Sequence, residues 1–186
     1  MTIASQTTTT TSPRMTVSTN LPGEKKYVGS GVILTRLDGD APRFMLLLGQ
    51  ETGVWSFPKG HPEQWDRGSP LRTAVRETYE ETGYLAGQHY QIMGESLRFG
   101  KRPYWVGLMN EGEVPPPRIC GAEHSLAGWF TLAEIEGLNS NTDVRAWVKK
   151  ANLTTSGFVR VLQALPRLAS SSTRSKSSSV PAYNGS

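Results

Sequence analysis

The feature that most constrains this chain is a helix whose two ends are both marked in the sequence. Ser69 is a residue type that caps helix N-termini, and Pro70 suits the first helical position, where its missing N–H is not needed. Gly83 suits the position after the last turn, where the backbone is left-handed. We therefore predict a helix over Pro70–Thr82. Its core-facing residues are expected to be Leu71, Ala74, Val75 and Thr78.

Extended segments lie on both sides of this helix. Those before it are predicted at 27–37, 43–48 and 54–57, with a turn at Asp38-Gly39-Asp40 and a loop from Lys59 to Gly68. Those after it are predicted at 91–99, 104–109 and 126–130. Helical segments follow at 132–136, 143–150 and 157–165. This order indicates an α+β fold, an α/β/α sandwich with a mixed β-sheet between helices.

Serine-rich and threonine-rich tails flank one folded region in this 186-residue chain. We expect residues 1–23 and 169–186 to be disordered and residues 24–168 to form the domain. Cys120 is the single cysteine, which excludes an intrachain disulfide and favours a structural thiol in a reducing compartment. Because the chain has no signal-like or membrane-spanning apolar run, we expect a soluble, intracellular protein of the cytoplasm with no membrane partner.

Charge is unevenly distributed along the chain. From Val144 onward there are seven basic residues and no acidic ones, whereas residues 1–143 hold 13 basic against 16 acidic side chains. The acidic part suits a metal-binding pocket. The basic part could contact RNA, although its charges are spread among serines, as is typical of a solvated helix and tail.

Three glutamates share one face of the predicted helix. Glu77, Glu80 and Glu81 stand at i, i+3 and i+4, where like charges repel one another. Arg76 can pair with only part of this acidic surplus. Mg²⁺ or Mn²⁺ would offset the rest, because hard cations prefer carboxylate oxygens together with water and substrate phosphates.

The loop before the helix adds groups that suit a phosphate site. Lys59 could hold a phosphate oxygen as a point charge, and Gly60 lets its backbone come close to a metal or substrate. His61 and His124 could also contact phosphate, although a lone histidine near a site is more often only a polar neighbour. Tyr104 lies in a predicted strand, where it would either pack in the core or stack on a base.

The segment from Gly60 to Tyr84 resembles the signature of the Nudix hydrolase family. Gly60 matches the opening glycine of that signature, and residues 76–84, with sequence RETYEETGY, match its closing half. Every charged position of that half is present, and the two aliphatic positions hold Thr78 and Tyr84. The loop between Gly60 and Arg76 is two residues longer than the family pattern, and Asp66 stands near the place of the pattern's first glutamate.

The resemblance implies a site and a chemistry. Glu77, Glu80 and Glu81 would bind one or more Mg²⁺ or Mn²⁺ ions, the Gly60 carbonyl would add a ligand, and Arg76 would orient the carboxylates. Either Glu77 or Glu123 would take the proton from the attacking water, as in different members of the family. Lys59, His61 and Tyr104 are the candidate substrate-binding residues.

Residues 55–63, with sequence WSFPKGHPE, are similar to the segment that opens the signature in diadenosine tetraphosphate hydrolases. Glu123-His124 before Trp129-Phe130 also resembles an acidic element of those enzymes. A metal-dependent hydrolase cleaving a diphosphate linkage in a nucleoside or dinucleoside polyphosphate is therefore the first hypothesis. Inositol pyrophosphate and capped messenger RNA are alternative substrates of the same chemistry.

Two other functions fit the same residues. A Nudix fold could bind a nucleotide or RNA without cleaving it, but the intact glutamates argue against this interpretation. The chain could also be a nucleic-acid adaptor that acts through its basic C-terminal part. The number of metal ions and the oligomeric state stay open.

Overall fold

The computed structural model of the protein describes residues 27–39, 41–99, 102–112, 114–119 and 123–153. The two predicted tails, Cys120 and the predicted helical segment 157–165 lie outside these residues. The predicted domain 24–168 is described only within 27–153. None of the described helices is long and apolar enough to span a membrane.

The order of the elements follows the prediction. The strands are β1 (Ser30–Asp38), β2 (Ala41–Gly49), β3 (Trp55–Ser56), β4 (Lys59–Gly60), β5 (Tyr90–Phe99), β6 (Arg102–Met109) and β7 (His124–Phe130). The helices are α1 (Pro70–Thr82), α2 (Leu132–Glu136) and α3 (Thr142–Leu153). A 3-10 turn, Gln64–Asp66, lies in the loop before α1. The prediction missed β4, which it assigned to this loop, and began β7 two residues late.

The strands form one mixed sheet in the order β3-β2-β1-β6-β5, with β4 also paired to β1 and β7 to β2. β1 and β6 run parallel, with Gly31 opposite Tyr104, and the other described pairs are antiparallel. The parallel pair is possible because α1 and β5 supply the long connection that such a pair requires. β4 pairs with β1 and also contacts α1. The loop that leads into α1 therefore begins at one end of β1.

Each face of the sheet is covered by helix, and β1 is therefore apolar on both sides. Val32 and Leu34 pack with Ala74 of α1, whereas Ile33 packs with Trp147 of α3. The Trp147 ring makes edge contacts with Phe44 and Phe57 on that second face. This arrangement confirms the predicted mixed sheet between helices.

α1 has the predicted ends but a different buried side. The Ser69 hydroxyl accepts a hydrogen bond from the Arg72 amide, and Gly83 has a φ of 76°. Leu71, predicted to face the core, is 36% exposed, and Val75 is only partly buried. The buried residues are Thr73, Ala74, Thr78, Glu81 and Thr82. The prediction was wrong because it chose apolar residues, whereas threonines can be buried when their hydroxyls bond within the helix, as Thr78 does to the Ala74 carbonyl.

Two leucines on paired strands test this assignment of the core. Leu46 is fully buried on β2, and Leu126 is 54% exposed on β7. We expect Leu46→Ala to lower the free energy of unfolding by about 2–5 kcal/mol, because a core cavity would remain. Leu126→Ala is expected to change it by less than about 1 kcal/mol. Urea unfolding measures both values, and equal losses would contradict the assignment.

Candidate active site

α1 presents its three glutamates to a cleft of about 960 Å³ beside β4 and the start of β7. The side chains differ in exposure: 15% for Glu77, 52% for Glu80 and 8% for Glu81. The carboxylate of Glu80 is therefore solvated at the rim of the cleft, and that of Glu81 is buried at its base. This gradient follows from the spacing, because positions i, i+3 and i+4 lie at slightly different angles around the helix.

Glu81 is the most unusual of the three carboxylates. Its Oε2 accepts a hydrogen bond of 2.9 Å from the Lys59 backbone amide, and its Oε1 lies 3.7 Å from Nε2 of His124. Burial raises the pKa of Glu81 to about 8, against the smaller opposing effect of the Lys59 amide. A buried carboxylate of this kind favours a nearby positive charge.

The start of β7 brings two further ligand types to Glu81. Ligand atoms of Glu81, Glu123 and His124 all lie within 4.8 Å of one another. The Glu123 backbone carbonyl accepts a hydrogen bond of 2.8 Å from the Gln50 amide, which fixes this segment beside β2. Burial, together with the nearby charge of Lys59, lowers the pKa of His124, so the ring is neutral at pH 7. A neutral imidazole with two carboxylates is a donor set that can bind a divalent cation.

Arg76 connects the glutamates to the loop before the helix. Its guanidinium lies 2.9 Å from Glu77 and 2.8 Å from Glu80, and it donates to the His61 carbonyl at 2.8 Å. A second side of the same guanidinium pairs with Asp66 at 3.0 Å. The hydrogen bonds that Arg76 donates to Asp66, together with the charges of the neighbouring glutamates, raise the pKa of Arg76, so this positive charge is permanent.

Asp66 explains how the longer loop is accommodated. Its carboxylate is buried and accepts hydrogen bonds from the Glu63 amide at 2.8 Å, the Thr73 hydroxyl at 2.8 Å and the Arg76 guanidinium at 3.0–3.1 Å. Burial acts to raise the pKa of Asp66, but these hydrogen bonds outweigh it, and the pKa is lowered. This longer loop contains the 3-10 turn Gln64–Asp66, and the capped start of α1 at Ser69 is present.

Gly60 packs directly against the side chain of Glu77. A Cβ at this position would collide with the Glu77 carboxylate group, so a larger residue would displace that carboxylate from its place beside β4. The Gly60 carbonyl oxygen points toward Gly29, which also has no side chain to cover it. The backbone of β4 can therefore approach the helix and the cleft closely.

The structure brings most of the predicted site residues together. The cleft is lined by Lys59, Gly60, His61, Glu77, Glu80, Glu81 and Glu123. Arg76 lies behind the glutamates and contacts two of them. Tyr104 does not reach the cleft surface: it is fully buried, and its hydroxyl donates to Asp143 at 2.7 Å. The suggestion that Tyr104 stacks on a base is therefore wrong for this structure, and its other interpretation, core packing, holds.

Several lining residues were not singled out as site residues from the sequence. They are Glu51, Thr52, Ser56, Glu63, Arg102 and Asn141, on elements outside the glutamate helix. They reach the cleft because β2, β3 and β6 end beside it, which the spacing of residues along the chain does not reveal. Arg102 differs from the other five because it brings a positive charge.

Comparisons with known proteins agree with this geometry. A family model described as the NUDIX domain matches residues 25–151. The bis(5'-nucleosyl)-tetraphosphatase [asymmetrical] of Sus scrofa is 32% identical over 130 residues, covering 64% of this chain and 85% of that protein. The Rattus norvegicus protein of the same name is 27% identical over 130 residues, with the same shares covered.

Solved structures share the fold. A C. elegans Ap4A hydrolase in a binary complex has a TM-score of 0.57 and 19% identity, and the match covers 72% of this chain and 100% of that one. RenU, a Nudix hydrolase from M. smegmatis, has a TM-score of 0.55 and 16% identity, with 70% and 86% covered. These structures support the architecture of the sheet and helices.

The role of Asp66 can be tested through pH. We expect Asp66→Asn to lower the free energy of unfolding by about 2 kcal/mol at neutral pH, because Arg76 loses a buried partner. The pKa of Asp66 is lowered in the folded state, so its carboxylate contributes stability above the unfolded pKa, and this contribution is lost as the pH falls through the folded pKa.

The difference between wild type and Asp66→Asn should therefore stay constant from about pH 7 to about pH 5 and narrow as the pH falls below about 4. Urea unfolding across this range measures the difference. The matched control is Asp38→Asn, which removes an exposed partner of Arg43 and should cost less than about 1 kcal/mol at every pH. A difference for Asp66→Asn that does not change with pH would contradict the assignment.

Proposed function

The chain belongs to the Nudix family and is a Nudix pyrophosphohydrolase, and from this premise we propose that it hydrolyses a diphosphate linkage in a dinucleoside polyphosphate such as diadenosine tetraphosphate, with Mg²⁺ or Mn²⁺. The observation that carries the proposal is the buried Glu81 carboxylate at the base of a cleft that also holds Glu77, Glu80 and Glu123. The names of the relatives support the substrate class.

The residues of the cleft fit a hard divalent cation. Glu81 is buried and accepts one hydrogen bond from a backbone amide. It forms no ion pair with a Lys or Arg side chain within the described part of the chain. The acidic side chains around it all offer oxygen atoms as metal ligands. Glu77, Glu80 and Glu81, with the Gly60 carbonyl, are the residues that would hold the ion. A bound Mg²⁺ or Mn²⁺ would neutralise charge on the phosphate oxygens and on the leaving group.

The protein residues around these ligands have distinct tasks. Arg76 holds Glu77 and Glu80 in place and thereby limits the repulsion between them. Lys59 lines the cleft through its side chain while its amide holds Glu81, so it can bind a phosphate without moving the ligand. The His61 side chain is exposed, and Arg76 holds its backbone carbonyl. The side chain can therefore reach a phosphate or base from a fixed position.

Glu123 is the better candidate for the group that accepts the proton of the attacking water. Its side chain is exposed and makes no hydrogen bond or ion pair with residues that the structure describes. Glu77, in contrast, is paired with Arg76 and packs against Gly60, so its carboxylate is held in place beside the helix even though burial raises its pKa. We therefore assign the general base to Glu123 and a metal-binding role to Glu77.

A substrate panel tests the proposed activity. Purified protein is assayed with diadenosine tetraphosphate, nucleoside diphosphate sugars, an inositol pyrophosphate and capped RNA, with and without Mg²⁺ or Mn²⁺. We expect metal-dependent cleavage of diadenosine tetraphosphate to ATP and AMP. Glu80→Gln should lower kcat by at least about 100-fold, because a metal ligand is lost.

The control for this panel is Glu95→Gln, an exposed glutamate on β5 outside the cleft, which should leave the rate unchanged. Preferred cleavage of another substrate in the panel would overturn the substrate assignment. Binding of these compounds without cleavage of any would overturn the proposed activity.

The two candidate bases are separated by measuring metal binding and rate together. Glu123→Gln is expected to lower kcat by about 100-fold to 10,000-fold while Mn²⁺ affinity, followed by electron paramagnetic resonance, is retained. Glu77→Gln should instead weaken Mn²⁺ binding. If Glu77→Gln lowers kcat at saturating Mn²⁺ and Glu123→Gln does not, the assignments are reversed.

A further inference from the structure

An ion-pair cluster borders the cleft at the start of β6. Arg102, at the start of β6, donates to a carboxylate oxygen of Asp143 in the first turn of α3 at 3.3 Å. The hydroxyl of Tyr104 donates to the same oxygen at 2.7 Å. Arg102 lines the cleft and its side chain is 31% exposed, whereas Asp143 and Tyr104 are buried behind it.

The charge of the cleft makes this arginine important. Six of its lining residues are glutamates, and the lining holds only two Lys or Arg residues within the described part of the chain, Lys59 and Arg102. A polyphosphate chain carries several negative charges, and the glutamates would repel any phosphate that a metal ion does not cover. Positive side chains must therefore hold the remaining phosphates.

We propose that Arg102 binds a phosphate group of the substrate and that Asp143, which Tyr104 holds, is a positioning residue for Arg102. This inference rests on the proposed function, since it assumes a polyphosphate in the cleft. It extends the site to a residue pair that lies far from the glutamate helix in the chain.

The geometry leaves most of the guanidinium available. Asp143 uses one terminal nitrogen of Arg102, and the other N–H groups can form the paired hydrogen bonds that guanidinium makes with phosphate. Gly29 lies beside this side chain, because a Cβ there would be in van der Waals contact with the Arg102 Nε at 3.4 Å. Asp143 therefore holds one terminal nitrogen of the guanidinium, and the remaining N–H groups are exposed to the cleft.

Tyr104 keeps the Asp143 carboxylate in place. Burial, with the adjoining Asp143, raises the pKa of the Tyr104 phenol, so the phenol stays protonated and acts as a donor. The carboxylate is thus fixed from the core side by Tyr104 while it fixes Arg102 on the cleft side. A hydrogen bond to an ionised group is stronger than a neutral one, which makes this chain of contacts suited to positioning.

The phosphate contact is tested with Arg102→Gln, Arg102→Lys and the control Arg98→Gln, an exposed arginine on β5 outside the cleft lining. One readout is KM for diadenosine tetraphosphate, and the other is the Kd of inorganic tripolyphosphate with Ca²⁺, measured by calorimetry. Arg102→Gln should raise both KM and Kd by about tenfold or more and change kcat little. The reason is that it removes a contact that the substrate and the transition state share. Arg102→Lys should be intermediate, since it keeps the charge without the fork.

The role of Asp143 is tested by a double-mutant cycle. In the wild-type background, Asp143→Asn should raise KM and the Kd of tripolyphosphate by about threefold to tenfold. In the Arg102→Gln background, it should raise neither value further. A merely structural role would lower the melting temperature in both backgrounds and move Kd equally in both. Equal effects on Kd in the two backgrounds would overturn the positioning role.

The outcomes separate this inference from the proposed function. Arg102-dependent binding of tripolyphosphate without hydrolysis of diadenosine tetraphosphate would support the phosphate site and overturn the proposed substrate. Hydrolysis with KM and Kd unchanged in Arg102→Gln would overturn the phosphate site and leave the proposed function standing.

Discussion

The ion pair between Arg76 and Asp66 is the interaction on which the site depends. One guanidinium pairs with a buried carboxylate from the loop and with two carboxylates from the helix, and it also donates a hydrogen bond to the His61 backbone carbonyl. Since β4 continues directly into this loop, the position of Gly60 against Glu77 depends on the same contact. The loop, the helix and the edge of the sheet are therefore held as one unit, and the glutamates keep their spacing despite their repulsion.

Burial of Glu81 has an energetic cost that the fold does not fully offset. The Lys59 amide supplies one hydrogen bond, and the neighbouring His124 is neutral, so the carboxylate keeps a pKa of about 8. Natural proteins commonly retain such unfavourable groups at functional sites, because the cost is recovered when a ligand of opposite charge binds. Burial of Glu81 therefore lowers the stability of the fold at the position where the site needs a poorly solvated acid.

Local signals were enough to predict much of the fold and the acidic half of the site. The caps at Ser69 and Gly83 and the spacing of the three glutamates are properties of neighbouring residues, and the order of strands followed from alternation and turns. Residues that meet across the chain could not be found in this way. Tyr104 and Asp143 are separated by 39 positions, and Thr78 and Thr82 of α1 are buried because their hydroxyls bond within the helix.

The parallel pairing of β1 with β6 also has a consequence for how the cleft comes to exist. Gly31 pairs with Tyr104 across the whole of α1 and β5, so the two strands meet only after a long loop has closed. Closure of such a loop is slow, since its entropy is lost before the contacts form. The glutamates of α1 lie within this connection, whereas Arg102 lies on β6 beside β1, so the pocket is complete only when these two strands are paired.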